Sequence, residues 1–257
     1  MRKVLLSVLV ASLVIGAGVY ATTAFFSDEE TSTGNTFQAG ALDLKVDNTC
    51  YYNKLADGQP NCPEKRDETG KPVLLTSWAA TDLGLEHKFF WFKDVKPGDF
   101  GEDTISLHVD NDAWLRLVID GILNKDNSCT EPEALDDLDG ATCEPNGELQ
   151  QNVLFTMWLD QGVTPGFQGP ADLSECDNDW VREFEPEIIS EGPIDPEGEI
   201  WDLAAFNGAY LKGGHTACFG VAWRVPSDVG NEIQTDSFEG NMTFQVQQHR
   251  NNPVPVW

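Results

Sequence analysis

The stretch CFGVAWRVP, residues 218–226, decides the fold class, because its large apolar side chains fall at every second position. An extended segment places alternate residues on one face, so this pattern predicts a half-buried β-strand. The segment NMTFQVQQH, residues 241–249, repeats the pattern. The predicted inward residues of these two segments are Phe219, Val221, Trp223, Val225, Met242, Phe244 and Val246.

Four other segments alternate in the same way: ALDLKVD (41–47), TISLHVDN (104–111), AWLRLVIDGI (113–122) and VLFTMWLD (153–160). Their predicted inward residues are Leu42, Leu44, Val46, Ile105, Leu107, Val109, Leu115, Leu117, Ile119, Val153, Phe155, Met157 and Leu159. Outside the first 24 residues, the helical patterns are weak, as in residues 79–88. The sequence therefore predicts an all-β chain, with antiparallel sheets packed as a sandwich.

The first 24 residues are typical of a secretory signal peptide. Arg2 and Lys3 form a basic start, residues 4–19 are apolar or small, and small residues follow. We predict cleavage between Ala24 and Phe25, with cleavage after Ala21 as the alternative position. The protein is therefore expected to be secreted, extracellular or at the cell surface. An uncleaved anchor helix is the alternative, but the apolar run is somewhat short for a span of about 20 residues.

The rest of the chain is predicted to form an N-terminal arm, residues 25–36, and one domain, residues 37–257, since no repeat or linker separates a second domain. Two acidic insertions interrupt this domain. Residues 126–148 carry eight Asp or Glu and no Lys or Arg, and residues 172–202 carry twelve acids and one Arg. Proline is expected to break any regular element in the second insertion, at Pro186, Pro193 and Pro196.

The formal charge of −27 at pH 7 argues against partners that carry phosphate. Such partners need Lys and Arg, so we expect no nucleic-acid partner. Membrane contact is expected only through an uncleaved signal peptide.

The six cysteines form no C-x-x-C pair, and no nearby His completes a zinc-finger spacing. An even number of cysteines behind a signal peptide predicts disulfides. The local pairing is Cys50–Cys62, Cys129–Cys143 and Cys176–Cys218, although sequence leaves the other connectivities and free thiols open.

Sequence motifs for catalysis are absent. The four histidines, His87, His108, His215 and His249, never form H-E-x-x-H, and the chain has no G-x-S-x-G, Walker A or dinucleotide fingerprint. A glycosidase-like carboxylate pair stays open because the chain has 43 acidic residues. We predict no catalytic residues, no enzymatic activity and no required cofactor.

Calcium is the alternative cofactor, because DDLDG (136–140), CDNDW (176–180) and DPEGE (195–199) cluster oxygen ligands around turns. None has the spacing of an EF-hand, and a solvated run of charge explains them equally. The weak calcium candidates are Asp136, Asp137, Asp139, Asp177 and Asp179.

Three motifs resemble the TasA/camelysin family of secreted fibre proteins. The leader is followed by FSD (26–28), GNTF (34–37) and GALDL (40–44), which match the family's entry pattern. The stretch VKPGDFGEDTISLHVDNDA (95–113) resembles its Lys-Pro-Gly-Asp turn and following strand, and residues 223–252 resemble its closing hairpin. The cysteines and the acidic insertions depart from the pattern, and suggest a distant, archaeal or halophilic relative.

The resemblance implies a jelly-roll-like sandwich, a SipW-type signal peptidase as a partner, and head-to-tail assembly with copies of the same chain. As in archaeal bundling pili, the N-terminal arm of one subunit would complete a sheet of the next. A minor anchor subunit is a further implied partner. The arm residues expected to take part are Phe25, Phe26, Ser27, Asp28, Thr31, Thr33 and Thr36.

The predicted function is therefore a structural subunit of an extracellular fibre, pilus or biofilm matrix. A disordered or self-packed arm is the alternative for the N-terminus. The alternative functions are a monomeric calcium- or glycan-binding module of the cell surface and a camelysin-like metallopeptidase.

Overall fold

The structure of the protein is a computed structural model. It describes residues 27–31, 42–53, 59–136, 146–160, 185–202 and 210–257. The predicted signal peptide and its cleavage site lie outside these residues. Among the described residues, no helix is both long enough and apolar enough to cross a membrane.

The described residues are mainly β-strand. The strands are β1 (Ser27–Thr31), β2 (Leu44–Tyr52), β3 (Lys65–Arg66), β4 (Pro72–Leu74), β5 (Trp78–Thr81), β6 (Phe100–Val109), β7 (Ala113–Lys125), β8 (Leu154–Leu159), β9 (Glu187–Gly192), β10 (Glu199–Asp202), β11 (Thr216–Arg224) and β12 (Ser237–Gln248). The short helices are α1 (Glu133–Asp136), α2 (Leu149–Asn152) and a 3₁₀ helix (Asn231–Ile233).

Two main sheets pack face to face. The larger has the order β5-β2-β6-β11-β8-β9 and the smaller the order β1-β12-β7-β10, while β3 and β4 form a separate ribbon. Strand pairs in all three sheets are antiparallel. The chain changes sheet repeatedly, as between β6 and β7 and between β11 and β12, which is the interleaved connection of a jelly-roll-like sandwich. The predicted all-β sandwich is confirmed.

One apolar core joins the two sheets. Inward side chains of β2, β6, β8 and β11 meet those of β7 and β12 in a single cluster. Leu44, Ile105, Phe219 and Phe244 are fully buried. Burying a side chain of this size contributes about 1.5–3 kcal/mol, so the alternation seen in the sequence is the main source of stability. Among the predicted inward residues, Ile119 and Phe155 are only partly buried.

Gly220 of β11 packs directly against a large side chain of the neighbouring strand β8. A Cβ atom at this position would lie 2.1 Å from the indole of Trp158 on the neighbouring strand. The bulky Trp158 side chain is buried because a glycine faces it. Gly220 is therefore required by packing in the middle of a strand.

The Pro97-Gly98 turn is confirmed. Gly98 has φ +90, a left-handed backbone that glycine adopts readily. The amide of Asp99 donates to the carbonyl of Lys96 at 2.9 Å, which closes the turn. The turn leads directly into β6.

The closing hairpin that the resemblance implies for residues 223–252 is not formed. β11 and β12 lie in opposite sheets, and residues 225–236 carry the chain across one end of the sandwich. Both strands have an apolar face, and those faces meet across the core. A hairpin would place both faces in one sheet and leave the core half filled.

Two local predictions also change. Residues 79–88, the weak helical candidate, contain strand β5 and loop. The second acidic insertion contains two regular strands, β9 and β10, although prolines punctuate it. Each strand lies at the edge of a sheet and avoids the prolines, because Pro at an edge or just outside a strand interrupts no ladder hydrogen bond.

Candidate functional site

The N-terminal strand β1 forms one edge of the smaller sheet. It pairs antiparallel with the last part of β12, from Ser27 opposite Gln247 to Thr31 opposite Thr243. The opposite side of β12 pairs with β7. Because β1 has one neighbouring strand, main-chain hydrogen bonds to β12 are its only sheet pairing in the described part of the chain.

The C-terminal residues support the same part of β12. Gln247 accepts from the amide of Val256 at 3.0 Å and donates to the Val256 carbonyl at 2.5 Å. The guanidinium of Arg116 lies 4.6 Å from the centre of the Trp257 ring and hydrogen-bonds Gln245. Both ends of the described chain therefore lie beside β12. The C-terminal contacts hold in place the part of β12 that pairs with β1.

The predicted arm is described only in part. Ser27, Asp28 and Thr31 lie in β1, within the predicted range. The residues Ala24, Phe25, Phe26, Thr33 and Thr36 lie outside the described residues. Within one chain the strand is paired with its own sheet, and its exchange between chains stays a prediction.

Three carboxylates from separate segments form a second candidate site. Asp126 follows β7, Glu133 begins α1, and Asp236 directly precedes β12. One ligand oxygen from each lies within 4.8 Å of the others. Glu133 is fully buried, whereas Asp126 and Asp236 are half-buried. We call this group the acidic site.

Glu133 is held in the acidic site by its own turn. The amide of Thr130 donates to Glu133 Oε2 at 2.8 Å, and the amide of Glu133 approaches the Thr130 hydroxyl at 3.4 Å. This is the reciprocal Thr-x-x-Glu arrangement of a helix start. The other carboxylate oxygen, Oε1, is buried and has no hydrogen-bond partner among the described residues.

Asp236 is fixed from the opposite side of the site. Its Oδ2 accepts from the amides of Glu148 and Leu149, at 2.5 and 2.9 Å, while the buried Oδ1 has no partner. Burial is the largest cause that raises the pKa of Asp236 to about 6, and the charges of Asp126 and Glu133 raise it further. The site therefore concentrates negative charge, and in the described part of the chain no Lys or Arg pairs with it.

Of the predicted calcium candidates, the structure describes only Asp136, which is not one of the three carboxylates of the acidic site. Asp136 accepts a hydrogen bond from the Asn231 amide group at 2.7 Å and so ties α1 to the 3₁₀ helix. The other candidates, Asp137, Asp139, Asp177 and Asp179, lie outside the described residues. Sequence reasoning named none of the three residues of the acidic site as a calcium ligand. Asp236 is 110 positions from Asp126, so no local spacing joins them, and the Thr130-x-x-Glu133 pattern is a local signal for Glu133 alone.

A second buried acid lies in the core-facing row of β6. Asp103 is fully buried, and Asn48 of β2 donates to its Oδ1 at 2.9 Å and to the carbonyl of Thr76 at 2.7 Å. Burial raises the pKa of Asp103 well above its usual range, although the hydrogen bond from Asn48 lowers it. The raised pKa favours the protonated, uncharged form of this carboxyl, and we assign it a structural role.

A Thr–His–Asp series crosses the outer face of the larger sheet. His108 lies 2.7 Å from Asp47 Oδ2 and 3.1 Å from the Thr216 hydroxyl. The three residues come from the neighbouring strands β2, β6 and β11, and Thr216 is buried. Side chains that face one another on adjacent strands form such pairs as part of sheet stability, and we assign no nucleophile here.

The predicted Cys50–Cys62 disulfide is confirmed and closes a loop beside β2. Cys129 and Cys218 are also disulfide-bonded. Their predicted partners, Cys143 and Cys176, lie outside the described residues. No described cysteine is a free thiol.

These features define an antiparallel β-sandwich protein whose N-terminal strand closes one sheet edge. Residues 1–58 match the model of the family described as camelysin metallo-endopeptidase, which confirms the TasA/camelysin resemblance over the leader, the arm and β2. No curated protein matches the chain. The acidic site lies beyond the matched segment.

The family's description implies a metal for peptide hydrolysis, and the residues present do not fit one. The matched segment contains no histidine, and its Cys50 is in a disulfide. In the described residues, the one cluster able to hold a metal consists of three carboxylates. Catalytic zinc sites typically use histidine nitrogen, so we derive no cleavage step from this cluster.

Proposed function

We propose that this chain is a secreted structural subunit, which assembles head-to-tail into an extracellular fibre by donating its N-terminal strand to the next copy. The observation that carries the proposal is the position of β1, an edge strand at the N-terminus that pairs only with β12 among the described strands. The family match over residues 1–58 supports it, because that match spans the leader and the strand.

Exchange of β1 between chains preserves the contacts made within one chain. If β1 leaves, residues 243–247 of β12 become an open sheet edge, with unpaired amides and carbonyls. The β1 of another copy restores the same antiparallel ladder, as in strand addition. Each chain then donates one strand and accepts another, so the contact repeats without closing and produces a filament.

The first test is electron microscopy of the secreted protein at rising concentration, beside a variant lacking residues 25–36. We expect filaments from the intact protein and folded, dispersed monomers from the truncated one, with folding checked by circular dichroism. Filaments from the truncated protein would contradict strand donation. Dispersed monomers from the intact protein would favour the surface-binding module.

Proline substitutions at neighbouring positions of β1 test the ladder itself. Glu29 and Glu30 lie opposite Gln245 and Phe244. In an edge strand, alternate amides face the neighbouring strand, so only one of the two residues donates to β12. Proline removes that amide, and we expect one of Glu29→Pro and Glu30→Pro to block filaments while the other serves as its control. Equal filament formation by both variants would count against the ladder.

A metallopeptidase is the second candidate function, because the matched family is described as a metallo-endopeptidase. It predicts cleavage of casein by the pure protein and loss of that cleavage with a chelator. Cleavage by the intact protein that the chelator abolishes would support it, and absence of cleavage would remove it.

A further inference from the structure

Hydrogen bonds in the described part of the chain satisfy only some of the carboxylate oxygens of the acidic site. Each of its three carboxylates has one oxygen held by neighbouring donors: Asp126 Oδ1 by the Ser128 amide at 3.0 Å, Glu133 Oε2 by Thr130, and Asp236 Oδ2 by α2. In the described part of the chain, the second oxygens of Glu133 and Asp236 are buried without a hydrogen-bond partner. Two buried acceptors without a partner, beside a third carboxylate, are costly unless another group satisfies them.

We propose that Asp126, Glu133 and Asp236 form a calcium site that joins the first acidic insertion to the sandwich. Their oxygens converge within 4.8 Å, a spread that a single ion can bridge at calcium–oxygen distances of about 2.3–2.6 Å. Calcium takes six to eight oxygen ligands in flexible geometry. The half-exposed Asp126 leaves a side where water completes the shell.

A shared proton explains the geometry less well than a cation. One proton between two carboxyl groups satisfies one pair and leaves the third carboxylate beside them. A bound cation takes an oxygen from all three and removes the repulsion that raises the pKa of Asp236. The absence of histidine and cysteine from the cluster favours a hard cation over zinc.

The site would act as a staple between segments distant in sequence. It connects the end of β7, the α1 turn and the start of β12, and Asp236 also holds the first amides of α2. The pairing of β1 involves residues 243–247 at the other part of β12. The calcium site is therefore independent of strand donation, and each proposal can fail alone.

The test compares thermal unfolding of the disulfide-intact protein in chelator and in calcium. An ion that binds only the folded state stabilises it by mass action. We expect the Tm of the wild type to rise by about 5–10 °C when free calcium exceeds its Kd about a hundredfold. Isothermal titration calorimetry should give one high-affinity site per chain.

The decisive variant is Glu133→Gln, which keeps the side-chain shape and an acceptor for Thr130 but removes the charge. It should lose most of the calcium-induced Tm rise, and in chelator it should melt no lower than the wild type because a buried charge is gone. Glu131→Gln, two residues away and exposed, is the matched control and should keep the full rise.

Three outcomes would overturn the proposal: no Tm rise with calcium, an equal rise in Glu133→Gln, or a larger rise with magnesium than with calcium. An equal rise would place binding on the acidic surface elsewhere. If Glu133→Gln does not fold, Asp126→Asn supplies the same comparison at a half-exposed position, and the same loss is expected.

Discussion

Asp103 and Glu133 are both fully buried carboxyl groups, yet their surroundings differ. Asp103 is a lone acid in the core-facing row of β6, with the amide of Asn48 as its hydrogen-bond donor. Glu133 lies beside two other acids, Asp126 and Asp236. In the described part of the chain, Glu133 Oε1 and Asp103 Oδ2 are both buried without a hydrogen-bond partner, so the neighbouring acids are what distinguish the two surroundings. A lone buried acid becomes neutral by taking up one proton, whereas three converging acids favour a cation.

The two buried acids connect different parts of this chain. Asp103 lies where the inward alternation of β6 would place an apolar residue, and Asn48 occupies the corresponding row of β2. The pair forms a polar connection between β2, β6 and the carbonyl of Thr76. The acidic site instead connects the insertion to the fold from outside the core.

The largest effect is expected from Asn48→Ala. It removes the donor to both Asp103 and Thr76 and leaves two buried acceptors unpaired. We expect the free energy of unfolding, measured with urea, to fall by about 3 kcal/mol. Asn241→Ala removes an Asn-to-Asp hydrogen bond of 3.0 Å at an exposed position and should cost less than about 1 kcal/mol. Equal losses would mean that Asn48 does not hold Asp103.

The next largest effect is expected on the pH dependence of stability, in the variant Asp103→Asn. The raised pKa means that folded Asp103 binds a proton more tightly than the unfolded chain does, so its contribution is present at low pH. That contribution is lost as pH rises from about 4 towards the folded pKa, by about 1.4 kcal/mol for each unit of the difference.

We therefore expect the stability of Asp103→Asn relative to the wild type to be higher at pH 8 than at pH 4. Urea unfolding across this range measures the gain. Asp120→Asn, which changes an exposed acid on β7, is the control and should follow the wild type. A constant difference between Asp103→Asn and the wild type would show that Asp103 is ionised in both states.

The smallest effect is expected for the energetic coupling between Asp103 and the acidic site. Asp103 and the acidic site share no hydrogen-bond partner. The double variant Asp103→Asn/Glu133→Gln should therefore equal the sum of the single variants within about 0.5 kcal/mol in chelator. The calcium-induced Tm rise of Asp103→Asn should equal that of the wild type. Coupling above about 1 kcal/mol would show that the core transmits one site's charge to the other.

The β class and most of the buried core residues could be predicted from the sequence. Alternation in β6, β7, β11 and β12 assigned inward residues such as Leu107 and Phe244 correctly, because side chains of a strand point to opposite faces with a strict period of two. The sequence also favoured the Cys50–Cys62 bond, whose partners are separated by only 12 positions, but left the other pairings open until the structure identified this one. The Pro97-Gly98 turn followed from the backbone preferences of those two residues.

The sheet that each strand joins and the acids that lie together could not be predicted from the sequence, because both depend on how the sheets pack. β11 and β12 follow each other in sequence but lie in opposite sheets, since each needs the other's apolar face across the core. The acids of the first insertion look alike in the sequence. Among its described acids, only Glu133 is fully buried, and it lies beside Asp126 and Asp236. Local patterns carry no information about contacts 110 positions apart, because such contacts arise only when the packed sheets bring their ends together.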